Sequence, residues 1–290
     1  MSFILTFPFN KARARAARTG LRSARKRPAR IARARPLSRF GRWALRKSWA
    51  APLPVRLIAV VAVIVALFFA LNWLYQVVRK PAELFFPVSS ALDKSPAQTW
   101  RQYGPLFREH STAVMTPELL AALAQVEGAG NPVARTYWRW SLAPNLLEIY
   151  RPASSSVGMY QITDAAFREA RRYCIHDHVV AEDGPWNDWG SCWFNSLYAR
   201  VIPSHAIEMT AAFLDRRVAE TLRRQRIASA TLTQKQDLAA IIHLCGAGAG
   251  AAYARRGFKN TASARCGDHS VRDYLARVNA IKRYFALRKD

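Results

Sequence analysis

Residues 116–132 read TPELLAALAQVEGAGNP. Thr116 followed by Pro117 is typical of a helix N-terminus, because threonine caps a helix and proline is tolerated at the first helical position. Leucines then recur at helical spacing, with Val126 on the same stripe. The glycines and the proline that follow cannot sustain a helix. The stretch predicts a helix that begins near residue 117 and ends close to Glu127.

Glu127 is the residue of this helix that suggests chemistry. It follows Leu123 by four positions and Leu120 by seven, so it projects from the apolar stripe. Desolvation and the negative end of the helix dipole both disfavour an ionised carboxylate there. A carboxyl group that keeps its proton is what a general acid needs in order to protonate a leaving oxygen. A structural, hydrogen-bonded glutamate is the competing interpretation.

Helix signals recur along the rest of the chain. Capping residues predict four further helices: from Thr163 to about Arg172, from Ser204 or His205 to about Arg226, from a capping box of Thr233 and Gln236 to about Cys245, and from Ser270 with Asp273 onward. The last of these has one apolar face, formed by Val271, Tyr274, Leu275, Val278, Ile281 and Phe285. No convincing run of alternating residues lies between these segments. Residues 113–290 are therefore expected to form a mainly α domain in which any strands are short.

The charge of the chain is unevenly distributed. Of its 44 Lys and Arg residues, 18 lie in residues 1–80, which contain no Asp or Glu. Residues 81–290 hold the other 26 against 19 acidic residues, which is +7 of the total net charge of +25. One uniformly basic nucleic-acid-binding domain is therefore excluded. Residues 1–54 are rich in Arg, Ala and Pro with little to pack between them, so we expect a disordered basic tail.

An uncharged segment follows the tail. Residues 57–71 read LIAVVAVIVALFFAL, and no charge interrupts the chain before Arg79. As a helix, the 22 residues from Leu57 to Val78 would be about 33 Å long, enough to cross a hydrocarbon core of about 30 Å. We expect one transmembrane helix over residues 55–78, with the basic tail retained in the cytoplasm and the rest exported. Residues 79–112 contain four prolines and are expected to be a linker.

Cysteine usage agrees with export. All four cysteines lie beyond the uncharged segment, in what should be an oxidising compartment: Cys174, Cys192, Cys245 and Cys266. Three pairings are possible, and we favour nearest neighbours, Cys174 with Cys192 and Cys245 with Cys266. Cys174, His176 and His178 have no fourth ligand at structural-zinc spacing, and their alternate positions suit a strand. No metal and no cofactor are expected.

Three segments taken together resemble a known enzyme family. They are residues 125–132 (QVEGAGNP), residues 154–163 (SSSVGMYQIT) and residues 246–250 (GAGAG), the last followed by Tyr253. In this order they resemble the soluble lytic transglycosylase domain, a relative of goose-type lysozyme. That family has a helix-ending catalytic Glu followed by Ser, then Gly-Leu-Met-Gln, then Ala-Tyr-Asn-Ala-Gly-Pro-Gly. The resemblance covers about residues 113–260.

Two positions depart from the family pattern. Gly128 stands where the family has the Ser that follows its catalytic Glu. Cys245 and Gly246 stand where it has Tyr-Asn, and that Tyr helps to hold the catalytic Glu. The departures leave open what holds Glu127 in this chain.

The resemblance implies a lysozyme-like helical fold and cleavage of peptidoglycan. Glu127 would protonate the oxygen between N-acetylmuramic acid and N-acetylglucosamine, then take a proton from the muramyl 6-hydroxyl as a 1,6-anhydro ring closes. The residues implied to bind the glycan or line its cleft are Ser156, Gly158, Met159, Gln161 and Tyr253. Gly158 would let the sugar approach the backbone. Glu148 and Asp164 are available as a second carboxylate if the enzyme hydrolyses the bond instead.

The resemblance also implies a location and partners. It indicates a single-pass protein of the bacterial inner membrane with a cytoplasmic N-terminus and a periplasmic domain. The expected partners are peptidoglycan glycan strands and the membrane, and no nucleic acid is expected. Two alternatives stay open: a domain of the same fold that binds peptidoglycan as a scaffold without cutting it, and a protein that acts through its Arg-rich tail on anionic lipid or nucleic acid.

Overall fold

Helices dominate the part of the chain that the structure, a computed structural model, describes: residues 52–85, 88–188, 190–261 and 263–288. Residues 1–51 of the predicted disordered tail lie outside the described residues. Two units are distinguished, Met1–Val60 and Val61–Asp290. In the first unit, the described residues form the start of one helix. All the elements that form the candidate site belong to the second.

The described ranges contain seven α-helices and three two-stranded antiparallel hairpins, numbered here in chain order. The helices are α1 (Leu53–Arg79), α2 (Pro96–Glu109), α3 (Pro117–Gly128), α4 (Asp164–Ala170), α5 (Pro203–Arg224), α6 (Leu232–Arg255) and α7 (Val271–Ala286). The strands are β1 (Trp138–Trp140) with β2 (Tyr150–Pro152), β3 (Tyr173–His176) with β4 (Val179–Glu182), and β5 (Arg265–Cys266) with β6 (His269–Ser270). The prediction of a mainly α domain with short strands is confirmed.

Helix α3 lies at the centre of the core. Every side chain from Leu119 to Ala124 is buried, so this helix is surrounded by protein on all faces. Helices α2 and α7 pack against it, and α5 packs on α6. The predicted start of α3 is confirmed, since Thr116 is its N-cap residue and Pro117 lies in its first turn. Glu127 occupies the last turn of a buried helix, which brings its carboxyl group to the edge of the core.

Helix α2 overturns part of the predicted linker. Ser95 and Gln98 form a capping box, in which each side chain bonds the backbone N–H of the other. Trp100 and Phe107 are buried on the inner face of the helix, and the Trp100 ring stacks on Phe285 of α7 at 5.2 Å. Residues 96–109 therefore belong to the folded domain. Pro96 lies at the N-terminus of the helix, where proline is tolerated, and the buried aromatic residues outweigh the cost of Pro105 in its interior.

The N-terminus of α6 lies two residues before the predicted one. Thr231 and Gln234 form the capping box, in place of Thr233 and Gln236. Gln236 is buried, and its side-chain amide donates to the carbonyl of Val114 at 3.2 Å. The prediction was wrong because the same spacing of Thr and Gln occurs twice, and the second Gln is needed by the core.

Both predicted disulfides are present. Cys174 pairs with Cys192 and Cys245 pairs with Cys266, and each pair closes a local loop. The first ties strand β3 to the loop after β4. The second ties the middle of α6, just before the non-helical Gly246 (φ 81°), to the hairpin that leads into α7.

Helix α1 is long and apolar enough to cross a membrane. It has 27 residues and a mean hydropathy of 2.7 over its most apolar window, of which 6% is buried. Helix α6 passes the same test of length and composition, but 44% of its window is buried. An exposed apolar helix that precedes a folded domain agrees with the predicted span.

Candidate functional site

Glu127 projects from the end of α3 into a cavity. The helix ends because Ala129 adopts a left-handed conformation (φ 48°), and the N–H of Gly130 donates to the carbonyl of Ala124 at 3.0 Å. The Glu127 side chain is 17% exposed and lines a cavity of about 710 Å³. The cavity has the volume of a small-molecule ligand pocket. Glu127 is therefore partly desolvated and still accessible.

Tyr274 of α7 holds the Glu127 carboxyl group. Its hydroxyl donates to Glu127 Oε1 at 2.5 Å, across 147 positions of the chain. Burial, and next to it the charge of Glu127, raises the pKa of Tyr274 well above its usual value, so the phenol stays a donor. The sequence leaves open what holds Glu127, and the residue that does so comes from the final helix of the described residues.

His243 of α6 is the second neighbour of Glu127. Its Nε2 lies 3.7 Å from Glu127 Oε1, beyond hydrogen-bond distance but within reach of an ion pair when the imidazole is protonated. His243 also lines a second cavity of about 330 Å³, together with Gln161 and Gly246. Glu127 and His243 are therefore neighbours that line different cavities.

Gly128 brings the first two sequence motifs together. A Cβ at this position would lie 2.9 Å from both the Cα and the carbonyl oxygen of Met159. The backbone of the Gly158–Gln161 turn therefore packs directly on the end of α3. Only glycine at position 128 leaves room for that turn.

We expect Gly128→Ser to destabilise the protein. The added side chain must displace backbone, which costs about 1–3 kcal/mol in a packed interior. Thermal or denaturant unfolding would measure the loss. Gly248→Ser is the matched control, since a Cβ at that helical glycine meets nothing within 4 Å. Equal stability of the two variants would contradict the packing argument.

Gly158 has a structural role that the sequence did not indicate. Its φ is +81°, and a Cβ there would lie 2.4 Å from the carbonyl oxygen of Arg200. The Arg200 guanidinium donates to the carbonyls of Ser155 and Ile162, at 2.9 and 2.8 Å, and so spans the two ends of the turn. The glycine is needed for close approach to protein backbone, which differs from the predicted approach of a sugar.

The other residues implied to bind glycan are differently placed. Met159 and Tyr253 are buried in the core, and the Tyr253 ring contacts Phe258. Ser156 is also buried, and its N–H donates to Ser154 Oγ. Gln161 lines the smaller cavity, and its amide donates to the carbonyls of Ala134 and Gly158. Of the five, Gln161 is therefore the one that the structure brings to a cavity wall. Burial of Met159 and Tyr253 corrects their implied place in the cleft.

The wall of the Glu127 cavity contains residues that sequence reasoning did not assign. Tyr137, Trp138 and Tyr150 contribute aromatic rings from the β1–β2 hairpin. Flat rings of this kind suit the apolar faces of sugars. Asp93 contributes a carboxylate, which accepts a hydrogen bond from Asn131 at 2.7 Å.

The two carboxylates predicted as alternatives are engaged elsewhere. Glu148 pairs with Arg79 and Arg151, and Asp164 pairs with Arg200 at 2.7 Å. Neither lines the cavity that holds Glu127. Among residues 52–85, 88–188, 190–261 and 263–288, no group of three or more His, Cys, Asp or Glu side chains is placed to hold a metal ion.

Comparison of the chain with models of known protein families and with curated protein sequences finds no match.

Proposed function

We propose that this protein is a membrane-anchored peptidoglycan lytic transglycosylase in which Glu127 acts as acid and then as base. The observation that carries the proposal is the placement of a single, partly desolvated carboxyl group, held by Tyr274, in an accessible cavity with aromatic walls. The order of the three sequence motifs supports it, as does the packing of the second motif on Gly128.

In the first step Glu127 donates a proton. The Tyr274 hydroxyl donates to Oε1, which leaves Oε2 as the oxygen that would give its proton to the glycosidic oxygen. Transfer of that proton to the glycosidic oxygen lets the bond between this oxygen and the muramyl C1 break, with the electron pair leaving on the N-acetylglucosamine oxygen. The hydrogen bond from Tyr274 stabilises the carboxylate that this transfer creates.

In the second step the Glu127 carboxylate is the base. It takes the proton of the muramyl 6-hydroxyl, whose oxygen bonds to C1 and closes the 1,6-anhydro ring. Glu127 is thereby protonated again, and no water is consumed. One carboxyl group serves both steps, in keeping with the ion pairs that engage Glu148 and Asp164 elsewhere.

Hydrolysis would need a second group that activates water. Asp93 lies in the same cavity as Glu127 and is the residue that would serve. The mass of the product separates the two reactions, because an anhydro-muropeptide lacks one water relative to the hydrolysed product.

The test uses the full-length protein in detergent and isolated bacterial sacculi. We expect soluble muropeptides that end in 1,6-anhydromuramic acid, identified by mass spectrometry. Reducing-end products would show hydrolysis in place of transglycosylation. Binding to sacculi without release of any product would show a scaffold domain. A lack of binding would favour a function of the Arg-rich tail.

The same proposal places the domain in the bacterial periplasm. Residues 1–56 carry 16 basic side chains and no acid, whereas two basic residues, Arg79 and Lys80, directly follow the uncharged segment. The positive-inside bias keeps the tail in the cytoplasm. Two disulfides beyond the segment support an oxidising compartment.

Tyr274→Phe is expected to lower kcat by roughly tenfold to a hundredfold, the value of one hydrogen bond to a charged group. KM should change little, because the hydroxyl contacts Glu127 and not the sugar. Tyr253→Phe is the control, since it also removes the hydroxyl of a buried tyrosine, whose ring contacts Phe258. Equal kcat values for the two variants would contradict a positioning role for Tyr274.

A further inference from the structure

The tip of the β1–β2 hairpin is apolar and exposed. Residues 140–147 read WSLAPNLL and contain no charge. Leu142 is fully exposed, and Trp140 and Leu146 are 64% and 68% exposed. Neighbouring apolar side chains left in water at one hairpin tip indicate an interaction surface.

The hairpin is docked on helix α1. The ring of Phe69 meets those of Trp140 and Tyr150 edge to face, at 6.3 and 5.9 Å. Asn72 and Gln76 of α1 are buried and both donate to the carbonyl of Leu147, at 2.9 and 2.8 Å. Asn72 and Gln76 therefore face the hairpin together with Phe69, whereas other apolar residues of α1, such as Leu71 and Leu74, remain exposed.

The rise of an α-helix, about 1.5 Å per residue, gives the depth in the bilayer at which Phe69 contacts the hairpin. If the uncharged stretch that ends at Val78 fills a hydrocarbon core, Phe69 lies about 13 Å inside the boundary nearer the domain. If the boundary lies instead at the polar Asn72, Phe69 is still about 4 Å inside it. In the first placement Trp140, whose ring centroid lies 6.3 Å from that of Phe69, reaches the depth of the acyl chains.

Charged residues flank the apolar tip on both strands. Arg139 precedes it, and Glu148 and Arg151 follow it. Glu148 forms ion pairs with Arg79 at the end of α1 and with Arg151. An uncharged, aromatic-bearing tip that is flanked by charged residues has the composition of a segment that enters a bilayer interface.

We propose that residues 140–147 insert into the same lipid bilayer that α1 crosses, as a second membrane-embedded element. The protein surface that contacts lipid then extends from the exposed apolar residues of α1 onto the hairpin tip. Hairpin and helix together then fix the height and orientation of the domain at the membrane, which a single flexible anchor would not do.

Insertion of the hairpin tip would hold the Glu127 cavity beside the membrane and so limit which glycan can reach it. This consequence rests on the proposed function. Trp138 and Tyr150 of the hairpin also line the Glu127 cavity. Trp138 donates to the fully buried Glu83, which follows α1 directly. The wall of the cavity is thus continuous with the membrane-embedded tip, and the substrate would be glycan that lies next to the membrane surface.

The experiment measures depth with a single fluorescent label on the full-length chain. All four native cysteines are in disulfides, so an introduced cysteine is the one reactive thiol. Leu142→Cys, Val63→Cys and Leu197→Cys would be labelled with an environment-sensitive dye and reconstituted into phosphatidylglycerol–phosphatidylcholine vesicles that contain nitroxide-labelled lipid. Val63 lies in α1, and Leu197 is an exposed apolar residue after the first disulfide loop.

We expect lipid nitroxides to quench more than half of the fluorescence at residues 142 and 63 and little at residue 197. Quenching at residue 63 alone would overturn hairpin insertion while leaving the anchor in place. No quenching at residue 63 would overturn the anchor and the proposal with it. Muropeptide release by the same preparations reports on the proposed function separately.

A second variant tests insertion through its chemistry. Leu142→Asp should not unfold the protein, because the Leu142 side chain is fully exposed. It should weaken the quenching of a label at residue 146, introduced as Leu146→Cys.

Discussion

Glu127→Gln is expected to stop the release of anhydro-muropeptides from sacculi, with a loss of about a thousandfold or more. Glutamine has the size of glutamate, and its amide oxygen can accept the hydrogen bond from Tyr274, so the fold is retained. It has no carboxyl proton to give to the glycosidic oxygen and no carboxylate to take one from the 6-hydroxyl. Both steps of the proposed reaction therefore fail at once.

The matched control for Glu127→Gln is Glu118→Gln. Glu118 lies in the first turn of the same helix, α3, and the substitution is chemically identical. The control should retain activity and lose at most about 1 kcal/mol of stability through the helix dipole. Pelleting with sacculi should show that Glu127→Gln still binds glycan. Product release by Glu127→Gln at the rate of the native protein would exclude Glu127 as the acid.

The sequence predicted those features that depend on nearby residues. Thr116, Pro117 and the glycines after Glu127 set the limits of α3, because capping and helix termination act over a few positions. The face of α7 was predicted for the same reason, since Val271 and Val278 follow a helical period. Pairing of the nearest cysteines was confirmed because both loops are local.

What the sequence could not predict depends on long-range packing. Tyr274 meets Glu127 only because α7 packs along α3, and no local pattern encodes that contact. One signal existed: a tyrosine on an otherwise apolar helix face needs a partner for its hydroxyl. Similarly, Gly158 was interpreted as making room for sugar, whereas the group that needs the room is the carbonyl of Arg200, 42 positions away.

Removal of the second disulfide is expected to impair both stability and activity. The Cys245–Cys266 bridge closes a loop with a sequence separation of 21, so Cys245→Ser with Cys266→Ser should cost about 3 kcal/mol. For a domain of this size that is a fall in Tm of roughly 10 °C. Activity should fall further than stability explains. Cys245 lies two residues after His243 and just before the kink of α6, and the bridge ties it to the hairpin that precedes α7, the helix that carries Tyr274.

Cys174→Ser with Cys192→Ser is the matched control. Its loop has a sequence separation of 18, so the loss of loop-closure entropy, and with it the fall in Tm, should be nearly the same. That bridge joins strand β3 to the loop after β4, and neither Glu127 nor Tyr274 belongs to those segments. At a temperature where both variants are folded, kcat should fall mainly in the Cys245/Cys266 variant. Equal kcat values would mean that the packing of α7 on α3 suffices to position Tyr274 without the bridge.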